Sequence, residues 1–204
     1  MPAEGSEYWI AGSCAMTVLL GFITPYAFLG IIVTLFLFLF FRDPERLAES
    51  HNATDVLSPA DGRVLKMQGN QLSIFMNIHN VHVNRSPVAG EVIDIRYHKG
   101  ARLPAFHKES DKNERNSITI RTRLGNVVVT QISGAVIRRI VCYVKQNEML
   151  TRGQRIGMIR FGSRVDVALP NGYSFVVSRG QRVKAGETTI AKFSDCRRLY
   201  EITF

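Results

Sequence analysis

The sequence predicts a mostly β domain of many short strands behind an N-terminal helical hairpin seated in a membrane. Three observations carry this. From Tyr8 to Phe41 runs a stretch of 34 residues without a charged side chain. Beyond it, short β-branched segments alternate with Gly, Asn, Asp and Pro. Outside the apolar run no long segment has helical periodicity. A chain of 204 residues has room for one such domain with its own core and an appendage.

The apolar run, 1–41 with its short polar lead, is too long for a signal peptide and lacks the basic residues that open one. One spanning helix needs about 20 apolar residues. Pro25 splits the run into roughly 16 on each side, so two short helices turning at Thr24-Pro25 are expected, with one tilted helix over 20–41 as the alternative. Tyr8, Trp9 and Tyr26 suit the membrane interface, and Arg42 and Arg46 follow at once, which places the body on the cytoplasmic side of the cell membrane.

All 26 basic residues lie from Arg42 onward, against 15 acidic ones, so the body carries +11. Such a body expects an anionic partner. Nucleic acid is disfavoured, because the aromatics are not interleaved with the basic residues as stacking platforms. Cys14, Cys142 and Cys196 are odd in number and match no zinc pattern, as expected of isolated reduced thiols.

Residues 42–57 read as a polar linker and 58–204 as the β domain. Strands are expected at 63–68, 71–78, 80–85, 90–98, 116–123, 125–133, 135–144, 164–170 and 173–178, with a long polar connection over 107–116. One internal repeat is visible: 144–154 and 177–187 both read V-x-x-[NG]-x-x-[LV]-x-x-G, pairing Leu150 with Val183 and Gly153 with Gly186. Paired elements of this kind resemble barrel-sandwich folds of the lipoyl and biotinyl carriers. No lysine stands at a hairpin tip in "RFGSR" for a carrier's modification.

Few residues offer chemistry. His79 and His82 lie in "MNIHNVHVNRSP"; three apart on a strand they face opposite sides, and no further ligands complete a metal set. His82 shares a face with Asn80 and Asn84. Asp61 sits in "SPADGRV", a turn by composition. Ser163 follows Gly162 at the head of the strand "SRVDVALP", outside any G-x-S-x-G elbow. A carboxylate, an imidazole and a hydroxyl are the parts of an activated nucleophile, if the fold joins them. Their spacing alone does not make Ser163 reactive, and a plain turn serine and turn aspartate are equally consistent with it.

The motifs "FFRDPER", "SPADGRV", "NVHVNRSPVAG", "YHKG", "NERNSI", "VVVTQISGAVIRRIVCYV", "GMIRFGSRVDVALP" and "VKAGET" occur in that order. With the apolar hairpin they resemble the short, membrane-associated form of phosphatidylserine decarboxylase and its archaeal counterpart, archaetidylserine decarboxylase, over nearly the whole chain. The resemblance implies a zymogen that cuts its own Gly162–Ser163 bond. It implies a β chain, 1–162, and an α chain, 163–204, that stay associated, with Ser163 converted to a pyruvoyl group, the covalent cofactor. It implies His82 as the base for Ser163, Asp61 as the residue orienting it, and His79 as a secondary candidate. The expected reaction removes CO2 from a serine phospholipid, leaving the ethanolamine lipid. Arg85, Arg138 and Arg139 are candidates to meet lipid phosphate, although a solvated face accounts for each alone. A membrane-tethered binding or carrier domain without catalysis is the competing reading.

Overall fold

The computed structural model describes residues 2–23, 27–100, 113–134, 140–160 and 163–194. The chain divides into two compact units, Met1–Glu45 with His79–Val81, and Arg46–Ile78 with His82–Phe204.

The first unit holds the two helices, α1 (Glu7–Ile23) and α2 (Ala27–Phe40), which pack on each other. Glu7 in the first turn of α1 complements the helix dipole. A Cβ on Gly30 would meet Thr17 Oγ1 at 2.7 Å, so the glycine lets the helices close, and Thr17 and Thr34 share a hydroxyl hydrogen bond of 3.2 Å. The N-terminal segment is tied to the end of α2 by the Ala3 amide, which donates to the Phe41 carbonyl at 2.7 Å. The expected turn at Thr24-Pro25 lies outside the described residues. At 17 and 14 residues the helices run about 26 and 21 Å, shorter than a hydrocarbon core of about 30 Å. Among the described residues no helix is long and apolar enough to cross a membrane. Both are nonetheless apolar on their exposed faces: Val18, Leu19, Ile32, Leu35 and Leu39 are all more than half exposed.

The second unit is all β. Its strands are β1 (Val56–Leu57), β2 (Gly62–Gln68), β3 (Gln71–Met76), β4 (Val83–Arg85), β5 (Gly90–His98), β6 (Arg115–Thr122), β7 (Gly125–Ile132), β8 (Ile140–Cys142), β9 (Met149–Leu150), β10 (Arg155–Ile159), β11 (Ser163–Ala168), β12 (Tyr173–Phe175), β13 (Arg182–Val183) and β14 (Thr189–Phe193). They form one eight-stranded antiparallel sheet, ordered β13-β2-β3-β11-β7-β6-β5-β9, and two three-stranded sheets, β1-β14-β12 and β4-β10-β8. The mostly β expectation holds.

The register exposes a duplication. Val64 pairs with Ile74 and, after a bulge, Lys66 with Ser73; Val92 pairs with Ile120 and, after a bulge, Asp94 with Thr119. Gly62 pairs with Val183 at one sheet edge and Gly90 with Leu150 at the other. Ser163 opposes Met76 as Gly125 opposes Thr122. The two halves meet between β11 and β7, where Val167 pairs with Val129, its own counterpart. The small sheets correspond too: both β1-β14 and β4-β10 shift register within their pairing. One half is therefore the continuous stretch 83–159. The other is assembled from 56–76 and 163–193.

The repeat at 144–154 and 177–187 belongs to this pattern. Asn147 and Gly180 both have positive φ, 67° and 83°, as do Gly153 and Gly186, 83° and 69°. These left-handed positions favour Gly and Asn over other residues. Leu150 and Val183 are buried as the equivalent edge-strand anchors. The shared core includes Leu72, Ile74, Ile118, Ile120, Val129 and Val167, all fully buried.

Candidate active site

Because one half is inserted into the other, the chain passes between halves twice, at 77–82 and at 160–162. His82 ends the first passage and Ser163 begins the strand after the second. The segment expected as a strand over 80–85 is regular only from Val83. The Ile159 amide donates to the His82 carbonyl at 3.2 Å, so the end of the first passage and the start of the second are hydrogen-bonded neighbours.

Ser163 is a strand residue rather than a turn residue, paired with Met76 across β3, and is fully buried. Its hydroxyl donates to the Met76 sulfur at 3.3 Å. The same sulfur lies 3.7 Å from Asn84 Nδ2. Asn84, two residues after His82, accepts from Gln131 Nε2 at 2.8 Å, and Gln131 Oε1 accepts from Asn116 Nδ2 at 3.0 Å. All of these side chains are buried. Met76 thus stands between the serine and the polar row that continues from His82. The alternation of His82 with Asn84 was legible as one face; that this face points inward, with His82 fully buried, was not.

Asp61 is also buried, but its carboxylate is engaged elsewhere: Oδ1 accepts from the Ala185 amide at 2.8 Å and Oδ2 from Arg46 at 3.0 Å. Arg46 also donates to Glu187 at 2.9 Å. Lys184 and then Arg46, each hydrogen-bonded to Glu187, hold its carboxyl below the ordinary carboxylate range. The Asp61 turn reaches the His82 segment through the backbone, where the Arg85 amide donates to the Pro59 carbonyl at 2.9 Å. Arg46 falls in the stretch read as a linker, and nothing in its spacing marked it as Asp61's partner.

His79 is exposed and belongs to the first unit, where its carbonyl accepts from Arg42 at 2.7 Å. Arg85 is neither a solvated residue nor open to a phosphate. It is 6% exposed, donates to the Gly153 carbonyl at 3.1 Å and packs beside Gly186, where a Cβ would lie 2.6 Å from its Cδ. It bridges the two repeat glycines. Gly162, Arg138, Arg139, Cys196 and most of the 107–116 connection lie outside the described residues. Among the described residues, no cluster of His, Cys, Asp or Glu is fit to hold a metal ion.

Fold and site together define a class: an interleaved β duplication in which a buried serine opens a central strand after one passage between the halves and a buried histidine ends the other. The phosphatidylserine decarboxylase family model matches residues 33–191. Relatives named archaetidylserine decarboxylase proenzyme, from Methanosarcina acetivorans and Methanosarcina mazei, are each 45% identical over 97% of this chain and 99% of their own length. One of that name from Methanococcoides burtonii is 47% identical over 81% of this chain and 79% of its own. The chain belongs to the phosphatidylserine decarboxylase family.

Proposed function

We propose that the chain is a self-processing proenzyme that decarboxylates a serine phospholipid at a membrane, with archaetidylserine the substrate its relatives' names favour. The observation that carries this is the place of Ser163: buried, first in a central strand, at the passage between the halves, with His82 at the other passage.

Ser163 Oγ attacks the Gly162 carbonyl carbon, with His82 taking the hydroxyl proton and passing it to the departing nitrogen. The C–N bond breaks as the C–O bond forms, giving an ester. Loss of the Ser163 α-proton then expels the Gly162 carboxylate, and water converts the remaining dehydroalanine to a pyruvoyl group and ammonia. The setting of Ser163 fits such a group: its hydroxyl is fully buried and donates to the weakly polar Met76 thioether at 3.3 Å. Once formed, the pyruvoyl carbonyl supplies an electron sink toward a substrate amine. His82, fully buried at the end of the first passage, is the proton donor in this reading, and Asp61 holds the turn bonded to its segment. His79 belongs to the first unit and takes no direct part in this reading.

After cleavage the α chain contributes β11–β14 and the β chain the rest. β11 lies between β3 and β7 in the middle of the large sheet. This pairing, with the Arg46–Glu187 bond, keeps the chains together. The small sheets and the paired edge strands support the finer assignment of the domain as a barrel-sandwich. The α1–α2 hairpin, apolar on its exposed faces, seats the protein in the bilayer, and the basic body meets the anionic cytoplasmic surface, each basic residue there adding about 1 kcal/mol.

The test is mass spectrometry of the purified protein together with turnover on vesicles. Expected are a fragment beginning at position 163 with a blocked N-terminus, and ethanolamine lipid formed from diether or diacyl serine lipid. An intact chain carrying unmodified Ser163, inactive on both lipids, would overturn the reading and leave the non-catalytic carrier domain.

A further inference from the structure

The duplication places a second pocket where the catalytic half has its reactive junction. Val88, Ala89, Gly90 and Glu91 line it, and their counterparts are Ala60, Asp61, Gly62 and Arg63. Arg121 and Thr122 line it at the positions that Phe75 and Met76 hold in the other half. Where the catalytic half breaks into two passages, this half closes the hairpin with Arg123 and Leu124. The cavity is about 880 Å³, within the range of small-ligand sites.

Its chemistry differs from that of its counterpart. Ala89 stands in place of Asp61 and Glu91 in place of Arg63, so one carboxylate is lost and another gained, and the positive charge comes from the adjoining hairpin. Two guanidinium groups, Arg121 and Arg123, stand at the pocket, and among the described residues only Arg121 is paired, with Glu91. The remaining wall is largely apolar, with Val88, Leu124, Met149 and Tyr173 beside Thr54 and Thr122. Met149 is 70% exposed, an apolar side chain left at the mouth. Tyr173 stays a neutral hydroxyl, its pKa pushed up to about 12 by burial and then by the charge of Asp55. Apolar walls with a net positive end suit a molecule with a hydrocarbon part and an anionic head. Ser163 and Gly125 each start a strand four positions from the central Val167–Val129 pair, in opposite directions. They are therefore about 26 Å apart along the sheet. An occupant of this pocket is not the substrate molecule at Ser163.

We propose that this pocket binds a phosphate-bearing amphiphile, with the phosphate on Arg121 and Arg123 and the chain against Leu124, Met149 and Tyr173. The proposal does not rest on the decarboxylase reading. The test is photolabelling of the full-length protein in mild detergent by lysophosphatidic acid carrying a diazirine in its acyl chain, mapped by mass spectrometry. Label is expected on 121–124 and Met149. It should fall about tenfold in the double variant Arg121→Ala, Arg123→Ala and recover in Arg121→Lys, Arg123→Lys. Unchanged cleavage at Ser163 in both would show that the fold is intact, and Ser163→Ala protein should label as the unaltered protein does. A monoacylglycerol with the same photoreactive chain should label weakly, and glycerol phosphate should compete poorly. Equal labelling in the double alanine variant, or by the uncharged amphiphile, overturns the proposal. Competition by glycerol phosphate as effective as by the lipid overturns its amphiphile part. Label present in a protein that proves catalytically inert leaves the pocket standing and removes only the decarboxylase reading.

Discussion

The Ile159 amide donates to the His82 carbonyl, 3.2 Å away, and this bond lies where the chain leaves one half of a duplicated β domain and returns to the other. Ser163 and His82 are 81 positions apart in sequence, and the duplication relates their places in the fold. Each sits at a passage between halves, and the passages are adjacent because β4, after the first, pairs with β10, before the second.

The two histidines of "HNVH" therefore separate by experiment. His82→Gln removes the buried imidazole and is expected to slow chain cleavage by at least about 100-fold, in line with loss of a general base. His79→Ala, at an exposed position, is expected to leave cleavage within about twofold and stability within about 0.5 kcal/mol. Both are read from the appearance of the small fragment on a denaturing gel. Equal slowing by the two would place the base elsewhere.

Gly62 and Gly90 are counterparts, and each lies against the backbone of the neighbouring strand. A Cβ would stand 2.2 Å from the Phe75 carbonyl at Gly62 and 2.4 Å from the Arg121 carbonyl at Gly90. Neither backbone can yield without disturbing a ladder. Gly62→Ala and Gly90→Ala are each expected to cost about 3 kcal/mol in denaturant unfolding of the Ser163→Ala precursor. In the cleavage-competent chain Gly62→Ala should also retard processing, since it moves the residue next to Asp61, whereas Gly90→Ala, whose neighbour is Ala89, should not beyond its effect on stability. Identical processing defects would mean that Asp61's placement has no special part.

Much of this fold was legible because its long strands alternate. β5 was expected at 90–98 and is found there; β2, β3, β6 and β7 differ by a residue or two at their ends. The strands not foreseen are β1, β9, β10, β13 and β14. Three of these have two residues, too short to show a period. In β10 Gly157 is pressed between the Val141 carbonyl and Gln131, and four of its five residues are buried, so no polar face alternates with an apolar one. The repeat at offset 33 marked one matching pair of elements, but "SPADGRV" against "SPVAGEV" carried a second signal of the same duplication. Both serines fold identically, Ser58 onto the Ala60 carbonyl and Ser86 onto the Val88 carbonyl, at 2.7 and 2.6 Å. Ser163 itself left no periodic trace. Ser163 is one more buried position in a strand buried through its first five residues. Its partner Met76 comes from a strand far off in sequence.

Tyr173 gives a test on the alkaline side. Its raised pKa, about 12, means that the folded protein binds the phenol proton more tightly than the unfolded chain does. That contribution is fully present below the ordinary tyrosine value near 10 and is lost as pH rises through about 12. Tyr173→Phe keeps the edge-on contact with Phe193, whose ring centre is 5.1 Å away, and removes the titration. The variant is expected to lose less stability than the unaltered protein between pH 10 and 12, measured by denaturant unfolding. Parallel loss in both would show that other groups dominate the alkaline limb.

Arg46 reaches Asp61 and Glu187 at once, at 3.0 and 2.9 Å, with its side chain 11% exposed. Under the proposed cleavage at 162–163 these partners fall on different chains, and the arginine becomes a clamp between them, joined by the Ala185 amide on Asp61 and the Thr189 amide on Glu49. Arg46→Met removes a largely buried partner and leaves two carboxylates facing each other. It is expected to cost about 2 kcal/mol and to weaken chain association. Acid should have the same effect on the unaltered protein. Glu187's depressed pKa means that its contribution is present above the ordinary carboxylate range and is lost as pH falls through the lower folded value. Glu187→Gln should therefore flatten the acid limb of stability while leaving neutral-pH processing unchanged. Size-exclusion chromatography of processed protein at falling pH reads chain association directly. Release of the small fragment should begin at higher pH in Arg46→Met than in the unaltered protein; coincident release profiles would show that the β11 ladder alone holds the chains together.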